Sequence, residues 1–232
     1  MNTHYAVVGV PEGCVWRLND LASASASWTE NILVKPVSAR IPTWIKIFSV
    51  LFGTAAVDML EIGVFRGGWM KRIVDSQINL NSFTGVDPYS GGAEDPYTGA
   101  YWKSEADAQA LYEKVKQMYD AHGQNLVRMT AKAYARQHKP GPAYNAIFID
   151  GDHRYEHCLA DAESFWTHLK PGGILMFDDY ANTDHPGVTK AVNEFAMRRR
   201  QDIEYALYFG CHFVNTNKIA PVINGQICLR KK

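Results

Sequence analysis

Short apolar runs alternate with amphipathic stretches from about residue 55 onward. Five of these runs read as strands, at 57–62, 83–86, 126–129, 146–149 and 174–177. The run 146–149 is apolar throughout, as expected of a strand buried on both faces. Between the runs, apolar residues recur at helical spacing. Leu111, Val115, Met118 and His122 share one face of a helix that Gly123 would stop. Tyr155, Leu159, Ala162, Trp166 and Leu169 share another. Further helices are predicted at 42–52, 69–78, 132–138 and 187–200, and turns at Asn79 and Asn81, at 140–142 and at 171–173.

Strand and helix therefore alternate five times, which implies a parallel sheet with right-handed crossovers. The last strand candidates, 205–209 and 227–229, with a third at 212–215, have no helix between them and predict an antiparallel hairpin at one edge. Residues 1–54 form an N-terminal helical or irregular extension with no clear period, a candidate cover for the site or dimer contact. Residues 55–232 form the main domain. Within it, residues 88–104 are rich in Gly, Pro and aromatic residues and too long for an ordinary connection, which predicts a lid-like insertion.

Length and composition agree with one globular domain: 232 residues, 47% hydrophobic and 21% charged. A net charge of zero gives no bulk attraction to nucleic acid or to an anionic membrane. The run Arg198-Arg199-Arg200 reads as a solvated helix end. Cys14, Cys158, Cys211 and Cys228 show no metal-like or redox spacing, so reduced thiols are expected. The N-terminus lacks the basic and apolar regions of a signal peptide, and the most apolar window, 45–60, is interrupted by Lys46, Gly53 and Asp58. The expectation is a soluble, cytoplasmic protein.

The chemistry lies at the strand ends. Glu61-Ile-Gly63, followed by Gly67 and Gly68, stands where the first strand turns into a helix. Glycines there let a ligand approach the backbone and the free N–H groups of a helix start. Phe65 breaks the dinucleotide fingerprint, and an acid two residues before Gly63 suits an ammonium or sulfonium better than a phosphate. Asp87 ends the second strand, where a carboxylate accepts the hydroxyls of a ribose. Together Glu61, Gly63 and Asp87 describe a pocket for a nucleoside with a cationic tail, the shape of S-adenosylmethionine. Asp150 ends the fourth strand, and Asp178 and Asp179 the fifth. Three carboxylates at one edge call for a proton or a hard cation, Mg2+ most simply, with Ca2+ or Mn2+ as alternatives. Adjacent Asp178 and Asp179 point to opposite faces of an extended strand, so both reach one ion only if the chain turns there. His153 is placed to act as general base beside Asp150. His157, His168 and His185 have no such context, and no set of two histidines and one carboxylate stands out at the strand ends.

The runs E-I-G-V-F-R-G-G, I-D-G-D-H-R-Y and L-K-P-G-G-I-L-M-F-D-D-Y resemble class I S-adenosylmethionine-dependent methyltransferases. More narrowly they are similar to the branch of macrocin and mycinamicin sugar O-methyltransferases, over roughly residues 55–200. The resemblance implies an α/β, Rossmann-like, seven-stranded, mostly parallel sheet with one antiparallel strand and helices on both faces. It implies the methionine end of the cofactor near Glu61 and Gly63, ribose at Asp87 and adenine near Thr130 and Ala131. It further implies a divalent ion, usually Mg2+, at Asp150, Asp178 and Asp179, with His153 as base. Trp69, where a small Ser is frequent, and Asp87-Pro-Tyr depart from the pattern. The reading is an Mg2+-dependent O-methyltransferase for a small molecule, a sugar or a polyhydroxylated or aromatic natural product. It expects no nucleic-acid or membrane partner, and it leaves a homo-oligomer open. The rivals are a metal-dependent hydroxylase or hydrolase on the same scaffold and a non-catalytic nucleoside-binding protein.

Overall fold

A computed structural model describes residues 32–36, 40–91, 102–138, 141–182, 184–213 and 222–232. Its sheet has eight strands. They are β1 (Ile32–Pro36), β2 (Val57–Ile62), β3 (Leu80–Asp87), β4 (Asn125–Arg128), β5 (Tyr144–Ile149), β6 (Leu169–Tyr180), β7 (Ile203–Phe213) and β8 (Val222–Lys231). The helices are α1 (Arg40–Phe52), α2 (Gly68–Val74), α3 (Glu105–Ala121), α4 (Ala131–Gln137), α5 (Tyr155–Trp166) and α6 (Pro186–Arg198).

The spatial order is β1-β7-β8-β6-β5-β2-β3-β4. Strands β2 to β8 are the seven expected strands, and β8 alone runs antiparallel to its neighbours β6 and β7. The C-terminal pair is thus the predicted antiparallel hairpin. An eighth strand, β1, comes from the N-terminal extension and pairs parallel with β7, an addition not foreseen in the apolar pattern. From β2 the chain proceeds outward through β3 and β4, then returns to lay β5 on the other side of β2. The order reverses between β2 and β5, and at such a switch point the carboxyl ends of the strands leave a crevice.

The period of two along each strand divides the core. Leu60 and Ile62 of β2, with Leu175 and Phe177 of β6, pack against α4, α5 and α6. Met59, Ile174 and Met176 face the opposite layer, with Trp44 of α1, Trp69 of α2 and Val115 of α3. Both layers are closed, which explains why β5 is apolar from Ala146 to Ile149.

Several boundaries differ from expectation: Asn81, read as a turn, lies inside β3, and β7 and β8 are longer than the apolar pattern predicts. The predicted helix 69–78 stops at Val74, where the Asp75 and Ser76 amides close on the Lys71 and Ile73 carbonyls. Leu169 does not extend α5 but opens β6, and the predicted turn 171–173 is a kink inside that strand, with Gly172 at φ +72°. His212 and Phe213 of the third C-terminal candidate belong to β7; its other two residues lie outside the described ones. So do residues 1–31 and 37–39 of the extension and 92–101 of the insertion. Among the described residues no helix is long and apolar enough to cross a membrane. Cys158 and Cys228 are buried and free, and burial pushes both thiols up to about 12.

Candidate active site

The turn after β2 is built by close backbone approach. Gly63 takes φ +86°, and its amide donates to the Val86 carbonyl at 2.9 Å. The Asp150 amide donates to the Ile62 carbonyl at 2.8 Å, so the tips of β2 and β5 touch. A Cβ on Gly63 would penetrate the Asp150 carbonyl and sit 2.7 Å from the Gly151 Cα. Gly67 caps α2 in the left-handed conformation, whereas Gly68 has open space around it.

Asp87 holds this turn together. Its Oδ2 accepts from the amides of Val64 at 2.9 Å and Phe65 at 3.0 Å, and its Oδ1 accepts from Tyr89 at 2.8 Å. Phe65 and Tyr89 are non-glycine residues at φ +52° and +42°, a conformation that persists where the surroundings enforce it. The Tyr89 hydroxyl closes the loop by donating to the Phe65 carbonyl at 2.8 Å. Three of the roughly four acceptor positions of the carboxylate are thus engaged by the chain itself, leaving about one for a ligand hydroxyl. Asp87→Asn keeps the size but exchanges an acceptor oxygen for a donor. It should lower unfolding stability by about 2–3 kcal/mol, read as a reduced urea midpoint with an unchanged slope.

Glu61 is not brought to the cleft wall. Strand alternation turns it to the same side as Met59, where it is 2% exposed and its Oε2 accepts from the Tyr119 hydroxyl at 3.0 Å. Burial, reinforced by Asp150 and Asp87 and opposed by the Tyr119 bond, holds its carboxyl well above the usual range. The sequence reading made it a counter-charge for a cationic ligand. The structure gives it the place of a buried strut between β2 and α3.

Most of the other cofactor candidates converge, whereas Gly67 and Gly68 are not among the residues that line the cleft. A cleft of about 920 Å³ opens at the switch point, and Gly63, Asp87, Thr130, Ala131, Asp150 and His153 all line it. Thr130 caps α4, its hydroxyl accepting from the Ala133 amide at 3.2 Å, so a helix start faces the cleft. Phe65, in the turn that Asp87 holds, and Trp102, shortly before α3, also line it. On the α5 wall, burial and the neighbouring Asp152 push the Asp161 carboxyl up to about 7. Asp161 gave no sequence signal beyond its place on the inner side of α5.

At the far end, His153 sits among the carboxylates. Its Nε2 lies 3.1 Å from Asp179 Oδ2 and 3.6 Å from Asp150 Oδ1. Burial opposes its charge, but Asp150, Asp179 and Asp178 outweigh that and raise its pKa. The chain does turn after Asp178. The β6–β8 register breaks between Phe177 and Tyr180, and Asp179 takes φ +54°. Asp178 Oδ1 accepts from the Asp179 amide at 2.9 Å, while Asn182 Nδ2 donates to Asp179 Oδ1 at 2.8 Å.

His185, read from sequence as ordinary, joins this group. It precedes Pro186 at the mouth of α6, and its ring centre lies 4.2 Å from that of His153. Gly187 makes this approach possible, since a Cβ there would lie 2.8 Å from both the His153 carbonyl and the Tyr155 amide. The donor atoms of His153, Asp179 and His185 all fall within 4.8 Å of one another. The available signal was a histidine before a helix-opening proline, shortly after a carboxylate-tipped strand.

A mostly parallel sheet with one reversed strand, a glycine turn after its first central strand and carboxylates at its tips define the class I methyltransferase fold. Residues 60–180 match the model of a family described as a methyltransferase domain. That span is over half the chain, and the chain belongs to this methyltransferase family. It is similar to the uncharacterized protein R132 of Acanthamoeba polyphaga mimivirus, 24% identical over 177 residues, covering 71% of this chain and 72% of that one. Among solved structures it resembles the O-methyltransferase from Bacillus cereus in complex with SAH, at TM-score 0.53 and 13% identity, covering 84% and 82% of the two chains. An rRNA methylase from Streptococcus thermophilus reaches TM-score 0.53 at 10% identity, covering 84% and 99%. At these identities the likeness concerns the fold.

Proposed function

We propose that this chain transfers a methyl group from S-adenosylmethionine to a hydroxyl of a small polyhydroxylated or aromatic acceptor. The observation that carries the reading is the single cleft wall shared by Gly63, Asp87, Thr130, Ala131, Asp150 and His153 in a member of a methyltransferase family. The glycine turn and the α4 start would hold the nucleoside half. The free position on Asp87 suits one ribose hydroxyl. His153, flanked by Asp150 and Asp179, would take the acceptor's proton as the oxygen attacks the methyl carbon and the sulfur leaves with the bonding pair. Positioning and charge balance supply most of such a rate gain.

The rival hydroxylase reading gains from the histidine pair that the sequence did not reveal. The family match across 60–180, with the cleft at the strand tips, still favours methyl transfer. For Mg2+ the fit is poor. The donors that converge are two imidazoles and one carboxylate, whereas Mg2+ takes oxygen ligands in near-octahedral sets.

The test is a melting experiment with S-adenosylmethionine, S-adenosylhomocysteine and NAD. At about 100 times the dissociation constant, an adenosyl ligand should raise Tm by about 5–10 °C, with no effect of NAD. Equal responses to all three, or none, would remove the methyl-donor reading. Mass spectrometry of acceptor mixtures then reads the added methyl.

A further inference from the structure

We propose that His153, Asp179 and His185 form a binding site for a borderline divalent transition ion, of the Zn2+, Co2+ or Fe2+ kind, rather than for Mg2+. Imidazole nitrogen suits these ions, and magnesium avoids it in favour of oxygen. Metal–ligand bonds of about 2.0–2.2 Å put ligand atoms about 3–4 Å apart. Donors already within 4.8 Å of one another reach that spacing by small side-chain rotations.

The surroundings support the trio. Its members come from three segments: the loop before α5, the end of β6 and the mouth of α6. Gly187 packs the start of α6 onto the backbone of residues 153–155. Asn182, itself buried, orients two of the three. Its amide nitrogen donates to Asp179 Oδ1 at 2.8 Å, while Asp179 Oδ2 lies on the His153 side. Its backbone carbonyl accepts from the His185 amide at 3.2 Å. Outer partners that fix ligand orientation in this manner accompany metal sites. Asp179 also holds a left-handed backbone, a cost that a packed functional site sustains. Asp150 and Asp178, expected as ligands from the sequence, flank this trio without belonging to it.

An ion held there makes His153 a ligand. On the methyl-transfer reading, His153 takes the acceptor's proton in the metal-free protein, and a bound ion would block that role. The binding itself is independent of that reading.

The experiment is a titration of metal-stripped protein with Co2+, followed by visible absorption. One equivalent should produce the ligand-field bands of nitrogen–oxygen coordination, and a tenfold excess of Mg2+ should leave them in place. His185→Ala should weaken Co2+ binding at least about tenfold. The His185 side chain does not cap α6, so this variant should fold, as circular dichroism would check. His153→Ala provides a second variant with the same expected loss, whereas Asp178→Asn should retain the bands. Absence of bands in the parent protein, displacement by Mg2+, or wild-type affinity in both histidine variants would overturn the site. Melting with S-adenosylmethionine is read separately, so failure of the ion site and failure of the methyl-donor reading are distinguishable.

Discussion

His153→Ala should lower methyl transfer by about 10²- to 10⁴-fold, the range of a lost general base, with S-adenosylhomocysteine binding largely unchanged. The imidazole lines the cleft close to Asp150 and Asp179. Alanine removes the imidazole that the proposed mechanism uses as proton acceptor. The measurement is single-turnover transfer alongside calorimetric binding of S-adenosylhomocysteine. A variant that loses both together would give His153 a structural role; one that loses neither would move the chemistry elsewhere.

Gly63→Ala should be more damaging still, because it acts on the frame. At φ +86° a side chain is disfavoured by about 1–2 kcal/mol before any contact is counted. The added methyl then meets backbone rather than a flexible side chain, at the carbonyl of Asp150 and the Cα of Gly151. Relief requires separating the tips of β2 and β5, the two strands that bound the cleft. A total loss of at least about 3–4 kcal/mol is expected, or failure to fold, by chemical denaturation without ligand. Gly68→Ala is the matched control. With no atom within 4 Å and no positive φ, it should be neutral or stabilise by up to about 1 kcal/mol. If the two variants behave alike, the close approach at Gly63 is not what holds this turn.

The fold was legible because burial leaves a simple mark. Strands covered on both faces must be apolar, so the tips of β2, β3, β5 and β6 could be placed, and with them Gly63, Asp87, Asp150, Asp178 and Asp179. What the pattern does not carry is side-chain direction and the meeting of distant segments. Glu61 sits at the predicted strand end, but its carboxyl is buried against Tyr119, a contact the apolar pattern does not reveal. Asp87 looked like a ligand acceptor, yet most of its capacity serves backbone amides whose left-handed residues, Phe65 and Tyr89, no propensity would suggest. His185 is far from His153 in the chain, and the glycine that lets them meet gains meaning only once α6 is docked. The chain does turn at Asp179, where φ is +54°, yet of Asp178 and Asp179 only Asp179 joins the histidine pair.

Strand β8 lies between β6 and β7 although it follows both in the chain. Synthesis runs from the N-terminus, so β6 leaves the ribosome with one edge open, and β7 has no neighbour through which to join the sheet. Strand β1, made first among the described strands, waits longest, since it is attached only through β7. Nascent chains therefore carry a bare strand edge beside the residues of the cleft until the final hairpin closes. A break anywhere in β8 releases three strands rather than one.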